Sequence, residues 1–161
     1  MLDFSGLYRR YAKDVYRFAL YLSGNHADAE DITAETFTRV WTTTGEIRAA
    51  TVKAYLFTIA RNLCRESRRR DARRADLHEW LPDPKPGPEM DAAARLQLRA
   101  VWDELRELSE PDRAALLMYA VEGFSQAEVA AALGLSLPAV KVKIHRARLR
   151  LAALRRGGSH K

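Results

Sequence analysis

The 161 residues, 47% of them hydrophobic, carry 27 Lys and Arg against 21 Asp and Glu, for a formal net charge of +6 and a pI near 9.7. That is enough chain for one or two small domains with real cores, and the charge favours an anionic partner. The lone Cys64 excludes an internal disulfide framework, and the lack of any bilayer-length apolar run or signal-peptide core in MLDFSGLYRRY predicts a soluble, cytoplasmic protein without direct membrane insertion.

In chain order, a first helix is expected from about Asp3 to Leu22, with Leu7, Tyr11, Val15, Phe18, Ala19 and Leu22 on one face. Ser23-Gly24-Asn25 ends it. A second helix, from about Ala27 to Trp41, is expected to bury Ile32, Phe37, Val40 and Trp41 while displaying Asp28, Asp31 and Glu35. Those acids lie towards its N-terminus, where the helix dipole stabilises negative charge, so they need no partner to be explained, though a docking role is compatible. The stretch TTTGEIRAATVK has no sustained period and reads as a loop.

A third helix is expected over roughly Val52 to Arg70. Its apolar pattern of Leu56, Phe57, Ala60 and Leu63 takes in Cys64, which reads as a buried structural thiol. Between Arg48 and Arg74 there are nine basic residues and two acids, with Tyr55 and Phe57 among them. Aromatic side chains beside a basic track suit single-stranded nucleic acid, although helical spacing assigns Phe57 to the core. From Asp76 to Asp91 the composition changes to alternating prolines, with five acids and one lysine. Such a stretch cannot continue a helix and predicts a semi-rigid spacer. The expected boundaries are a first domain over 1–75, a linker over 76–91 and a second domain over 92–161.

In the second domain Leu98, Val101, Leu105 and Leu108 are expected on one helix face. Ser109, Pro111 and Asp112 start a further helix carrying Leu116, Leu117, Tyr119 and Val121, which stops at Gly123. Ser125 and Glu128 then form a capping box, so a helix should begin at Gln126 and end at Gly134. Ser136 caps the last helix, with Pro138 in its first turn. Its apolar residues Leu137, Val140, Ile144, Ala147, Leu151 and Leu154 make one stripe, opposite Lys141, Val142, His145 and Arg148. Two helices and a three-residue Gly-containing turn make a helix-turn-helix, whose second helix fits the major groove of B-DNA. After Glu128 every charged residue is basic, as a polyanion partner would favour; a solvated basic face on an ordinary helical hairpin is the plainer alternative. Nothing reads as a strand, so the predicted fold is all-α: two small helical domains and a Pro-rich acidic linker.

Catalytic signatures are absent: there is no phosphate-binding glycine loop, GxSxG elbow or HExxH. The histidines are scattered, and Asp28, Asp31 and Glu35 on one exposed helix read as solvated rather than as a metal site. The expectation is binding rather than enzymatic function, with no cofactor and no metal.

The stretches YRRYAKDVYRFALYLSGNHADAEDITAETFTRVW, AYLFTIARNLCRESRRR and EGFSQAEVAAALGLSLPAVKVKIHRARLRL, in that order around a variable linker, resemble a bacterial RNA polymerase sigma factor of the extracytoplasmic-function group of the sigma-70 family. The resemblance covers nearly the whole chain outside the linker and implies a sigma-2-like and a sigma-4-like domain. It implies three partners: core RNA polymerase, promoter DNA and an anti-sigma factor. Asp28, Asp31 and Glu35 would then dock on the polymerase. The loop from Gly45 to Lys53, including Ile47, and the following helix would bind the -10 element as an unstacked strand, with Tyr55 beside it. Asn62, matching the asparagine of the family's IARN-like motif, would hydrogen-bond an extruded base, while Lys53, Arg61, Arg65 and Arg68 to Arg70 hold phosphates. Lys141, Val142 and His145 would read base edges of the -35 element, with Ser136, Lys143, Arg146 and Arg148 on its backbone.

The chain departs from the family pattern at Pro138-Ala139, where Gly-Thr is frequent, and at Val142, where a small polar residue is common. It also has Tyr55 where Trp is common, and the loop around Ile47 is shorter than in some members. These differences bear on promoter specificity. A helix-turn-helix regulator acting on duplex operators without polymerase, or a basic helical adaptor for acidic proteins, are the rival readings.

Overall fold

The computed structural model describes residues 3–42, 52–74 and 92–158. The expected linker over 76–91 and the loop containing Ile47 lie outside the described residues. The chain divides into two compact units, Met1–Lys85 and Pro86–Lys161, and among the described residues every element is helical. No described helix is long and apolar enough to cross a membrane.

In the first unit α1 (Phe4–Ser23), α2 (His26–Thr42) and α3 (Val52–Arg74) pack on one another. Asp3 caps α1 by accepting from the Gly6 amide at 3.3 Å. Gly24 ends that helix at φ 71°, a left-handed conformation that costs glycine little, and donates to the Leu20 carbonyl at 2.7 Å. Asn25 then accepts from the Asp28 amide at 2.9 Å, so only Gly24 and Asn25 separate α1 from α2. This tight connection sets α1 and α2 side by side, and α3 closes the core over them.

Val15, Phe18 and Leu22 of α1 meet Ile32 and Phe37 of α2 and Leu56, Phe57 and Ala60 of α3, all buried. Phe18 and Phe57 stack with centroids 4.6 Å apart, which confirms Phe57 as core. Trp41 corrects the expectation: it is 67% exposed and rests edge-on against Phe4 at 4.6 Å. Neighbouring residues on a helix point about 100° apart, and Val40 takes the inward direction. The third helix also runs to Arg74, one turn beyond the expected end.

The second unit contains α4 (Ala92–Leu105), α5 (Glu110–Leu116) with a π-helical turn continuing it over Leu117–Val121, α6 (Gln126–Leu133) and α7 (Leu137–Gly158). On α4 Trp102 is buried, at 1% exposure, whereas Val101 is exposed. Trp102 shares with Leu105 a face of which Val101 is the edge, and the indole has more apolar area to gain there. Leu105 and Leu108 are buried as expected; the Leu98 side chain lies outside those described. Ser109 caps α5 by accepting from the Asp112 amide at 3.4 Å.

Arg113, also 1% exposed, lays its guanidinium over the Trp102 ring at 5.3 Å and donates to the Leu105 carbonyl at 3.4 Å. The ring and the carbonyl both favour its positive charge at this depth.

The last two helices follow from local chemistry. Ser125 accepts from the Glu128 amide at 3.0 Å while its own amide donates to the Glu128 carboxylate at 2.8 Å, completing the expected capping box. Gly134 turns at φ 68°, letting the Leu135 amide reach the Ala130 carbonyl at 2.9 Å. Ser136 accepts from the Ala139 amide at 3.2 Å and starts α7. Val129, Ala130 and Leu133 of α6 and Val140, Ile144 and Ala147 of α7 are all buried as these helices pack together. Leu151 and Leu154 are half-buried, and Leu137 is exposed in the first turn.

Candidate nucleic-acid interface

Burial of the Val140, Ile144 and Ala147 stripe leaves Lys141, Val142, His145 and Arg148 exposed on the other side of α7. Lys141, His145 and Arg148 recur at i, i+4 and i+7, so they form one face. With an ammonium, a guanidinium and an imidazole flanking an exposed valine, that face can offer donors to base edges and phosphates and an apolar contact to a methyl group. Ser136 is spent on its cap, although its exposed hydroxyl remains at the entry to α7.

Three further arginines of α7 meet acids of their own unit. Arg146 forms a bidentate pair with Asp112 of α5, at 2.7 and 2.8 Å, across 34 residues of sequence. Arg150 meets Glu107 at 3.6 Å and Arg155 meets Glu104 at 3.4 Å. These arginines brace α7 against acids of its own unit, so the one-signed charge of the helix is partly compensated internally. Arg146, expected as a phosphate contact, directs Nε and one Nη at Asp112 and so braces α7, while its side chain stays 57% exposed. The bidentate hydrogen bonds from Arg146 hold the Asp112 carboxyl below its ordinary range despite its burial, with Lys143 adding to the attraction. The Arg146 guanidinium is correspondingly pushed up by Asp112. Arg148 instead lies over the ring of Tyr119, 5.4 Å from its centroid.

In the first unit Tyr55, Asn62, Arg65, Arg68 and Arg69 are exposed on α3. Tyr55, Asn62 and Arg69 recur every seven residues and share a face, so an aromatic ring, an amide and a guanidinium line one track. Arg61, expected as a phosphate contact, is only 8% exposed: i−1 to Asn62, it turns into the body of the unit. Lys53 is half-buried, pairs with Asp14 at 3.8 Å and lies over Phe57 at 5.6 Å, so it would have to leave both to meet a phosphate. Ile47 lies outside the described residues.

A groove of about 630 Å³ runs between α2 and α3. Asp28, Asp31 and Glu35 line its α2 side, with Glu66 and Arg70 from α3 opposite and Ile32 and Leu63 between them. The three acids predicted for docking are thus brought together, with Glu35 within 3.3 Å of Arg39. Sequence reasoning missed the α3 side, although Leu63, Ser67 and Arg70 recur at helical spacing. At the α1–α2 junction Tyr16 hydrogen-bonds His26, whose other nitrogen lies 3.0 Å from Glu30. Burial, reinforced by Glu30, raises the Tyr16 phenol above its usual value.

The known-protein comparisons agree with this two-unit arrangement. Residues 7–74 match the sigma-70 region 2 family model and residues 98–151 match the sigma-70 region 4 model. The chain is 36% identical over 160 residues to the ECF RNA polymerase sigma factor SigE of Mycolicibacterium smegmatis, covering 94% of this chain and 61% of SigE. It is 33% identical to the ECF RNA polymerase sigma factor SigL of Mycobacterium tuberculosis, over 86% of this chain and 81% of SigL. Among solved structures, the sigma factor RpoE in complex with the anti-sigma factor NepR from Bartonella quintana superposes with a TM-score of 0.77 at 27% identity, over 96% of this chain and 97% of that one. CnrH in complex with the cytosolic domain of CnrY gives 0.75 at 29% identity, over 96% and 88%. With both halves matched in order, the chain belongs to the sigma-70 family of RNA polymerase sigma factors, within the extracytoplasmic-function group.

Proposed function

We propose that the protein binds core RNA polymerase in the cytoplasm and directs it to promoters by two separate DNA contacts, without covalent chemistry of its own. The observation that carries this reading is the exposed Lys141, His145 and Arg148 face on a capped helix-turn-helix, in a chain that also bears the α3 track of Tyr55, Asn62 and Arg69. In this reading residues 1–75 dock on polymerase and hold the melted -10 strand, 76–91 link the domains, and 92–161 bind the -35 element. Lys141, Val142 and His145 read base edges, while Ser136, Lys143 and Arg148 contact the backbone. Ile47, Tyr55 and Asn62 receive unstacked bases, and Lys53, Arg65, Arg68 and Arg69 hold the strand. Melting costs a few kcal/mol per unstacked base and is offset by these contacts.

Asp28, Asp31 and Glu35, on the edge of the α2–α3 groove, present negative charge to a basic polymerase surface. The likeness to sigma factors solved with NepR and CnrY supports an anti-sigma partner for this chain too. The base-reading assignment is tested by Lys141→Ala, which is expected to weaken binding to the -35 element by roughly 1–3 kcal/mol while sparing scrambled DNA. An equal loss on both would make Lys141 a phosphate contact.

A further inference from the structure

We propose that Tyr119 is a positioning residue for the DNA contact of Arg148, holding its guanidinium ready for a backbone phosphate before DNA arrives. The inference rests on Arg148 acting as a phosphate contact. Its physical basis is the difference between Arg148 and its neighbours on α7. Arg146, Arg150 and Arg155 direct their N–H donors at carboxylates, which order the side chains but also occupy the donors and offset the charge. Arg148 is ordered by an aromatic face instead, at 5.4 Å. A guanidinium stacked on a ring keeps its in-plane donors and its full charge available.

The ring is placed for this by the backbone. Tyr119 is the central residue of the π-helical turn Leu117–Val121, in which Leu117 and Met118 are buried and Tyr119 is half-buried. A π turn is wider than an α turn, so it redirects the side chains that leave it relative to those of α5; such turns recur at functional sites. Here it brings the phenol ring beneath a residue of the recognition helix that shares a face with Lys141 and His145. An exposed arginine that must be ordered on binding loses rotamer freedom, and ordering it beforehand is worth roughly two- to tenfold in affinity.

The test uses the full-length chain and a short duplex of arbitrary sequence, since phosphate contacts do not depend on sequence. Affinity is measured by fluorescence anisotropy over a series of salt concentrations, and each variant is first checked by thermal unfolding. Arg148→Ala should bind more weakly, with a log–log salt slope shallower by about 0.9, the signature of one lost phosphate contact. Tyr119→Leu and Tyr119→Met should bind roughly two- to tenfold more weakly at unchanged slope, because the contact still forms but must be ordered first. Tyr119→Phe keeps the ring and should bind like the parent. The two aliphatic variants give independent readings should one fold poorly. If both bind like the parent, or if Tyr119→Phe is as weak as they are, while Arg148→Ala is impaired, the positioning role is overturned and the Arg148 contact stands. If Arg148→Ala itself binds like the parent, its assignment as a phosphate contact fails, and the role of Tyr119 with it.

Discussion

Replacing Trp102 with alanine is expected to lower the stability of the second unit by about 3–5 kcal/mol, the cost of emptying a large aromatic site in a closed core. Trp102 is 1% exposed and supports the buried guanidinium of Arg113, so the substitution removes apolar area and also the face that stabilises a buried charge. Small domains are stable by only about 5–15 kcal/mol, so a loss of this size consumes much of the total. Thermal unfolding followed by circular dichroism, with hydrogen exchange to localise the change to α4–α7, provides the measurement. A midpoint unchanged from the parent would mean that the Trp102–Arg113 pair is not the keystone of this unit.

The Asp112–Arg146 pair carries the second large effect, and its sign with pH is fixed. The folded state holds the Asp112 carboxyl below its usual 3.8, so the unfolded chain takes up its proton first as acid is added. The stabilisation is therefore complete above the unfolded value and is lost as pH falls through the lower folded value. Asp112→Asn keeps the shape and gives up the charge. At neutral pH the thermal midpoint of the variant should lie several degrees below that of the parent, and the gap should close as both are acidified below 3.8. A gap independent of pH would show that Asp112 acts by packing and not as an anion.

These two sites also show what was legible in the sequence. The start of α6 at Gln126, its stop at Gly134 and the cap at Ser136 were readable because each depends on a side chain and backbone groups within a few residues. The buried stripe of α7 was readable too, and with it the opposite face of Lys141, Val142, His145 and Arg148. Periodicity failed where two large apolar residues are adjacent. It buried Trp41 along with Val40 and turned Val101 inward instead of Trp102, because one step around a helix separates an inward position from an edge, and the neighbouring helices decide. The pairing of Arg146 with Asp112 was not legible because the partner lies 34 residues away, beyond any local pattern. Arg61 and Asn62 are adjacent in the same motif, yet one is buried and the other exposed, a distinction set by how α3 packs. The π-helical turn has no residue signature of its own, so the meeting of Tyr119 and Arg148 emerges only in three dimensions.

The central claim is that this chain gives core RNA polymerase a promoter preference. Run-off transcription from a genome-fragment library, with purified core polymerase in the presence and absence of the protein, measures that directly. The account predicts transcripts that begin at new positions only when the protein is present, preceded by two shared sequence elements at a fixed spacing. Tight duplex binding by the protein alone, with no initiation dependent on it, would contradict the account and favour a regulator that acts on operators without polymerase.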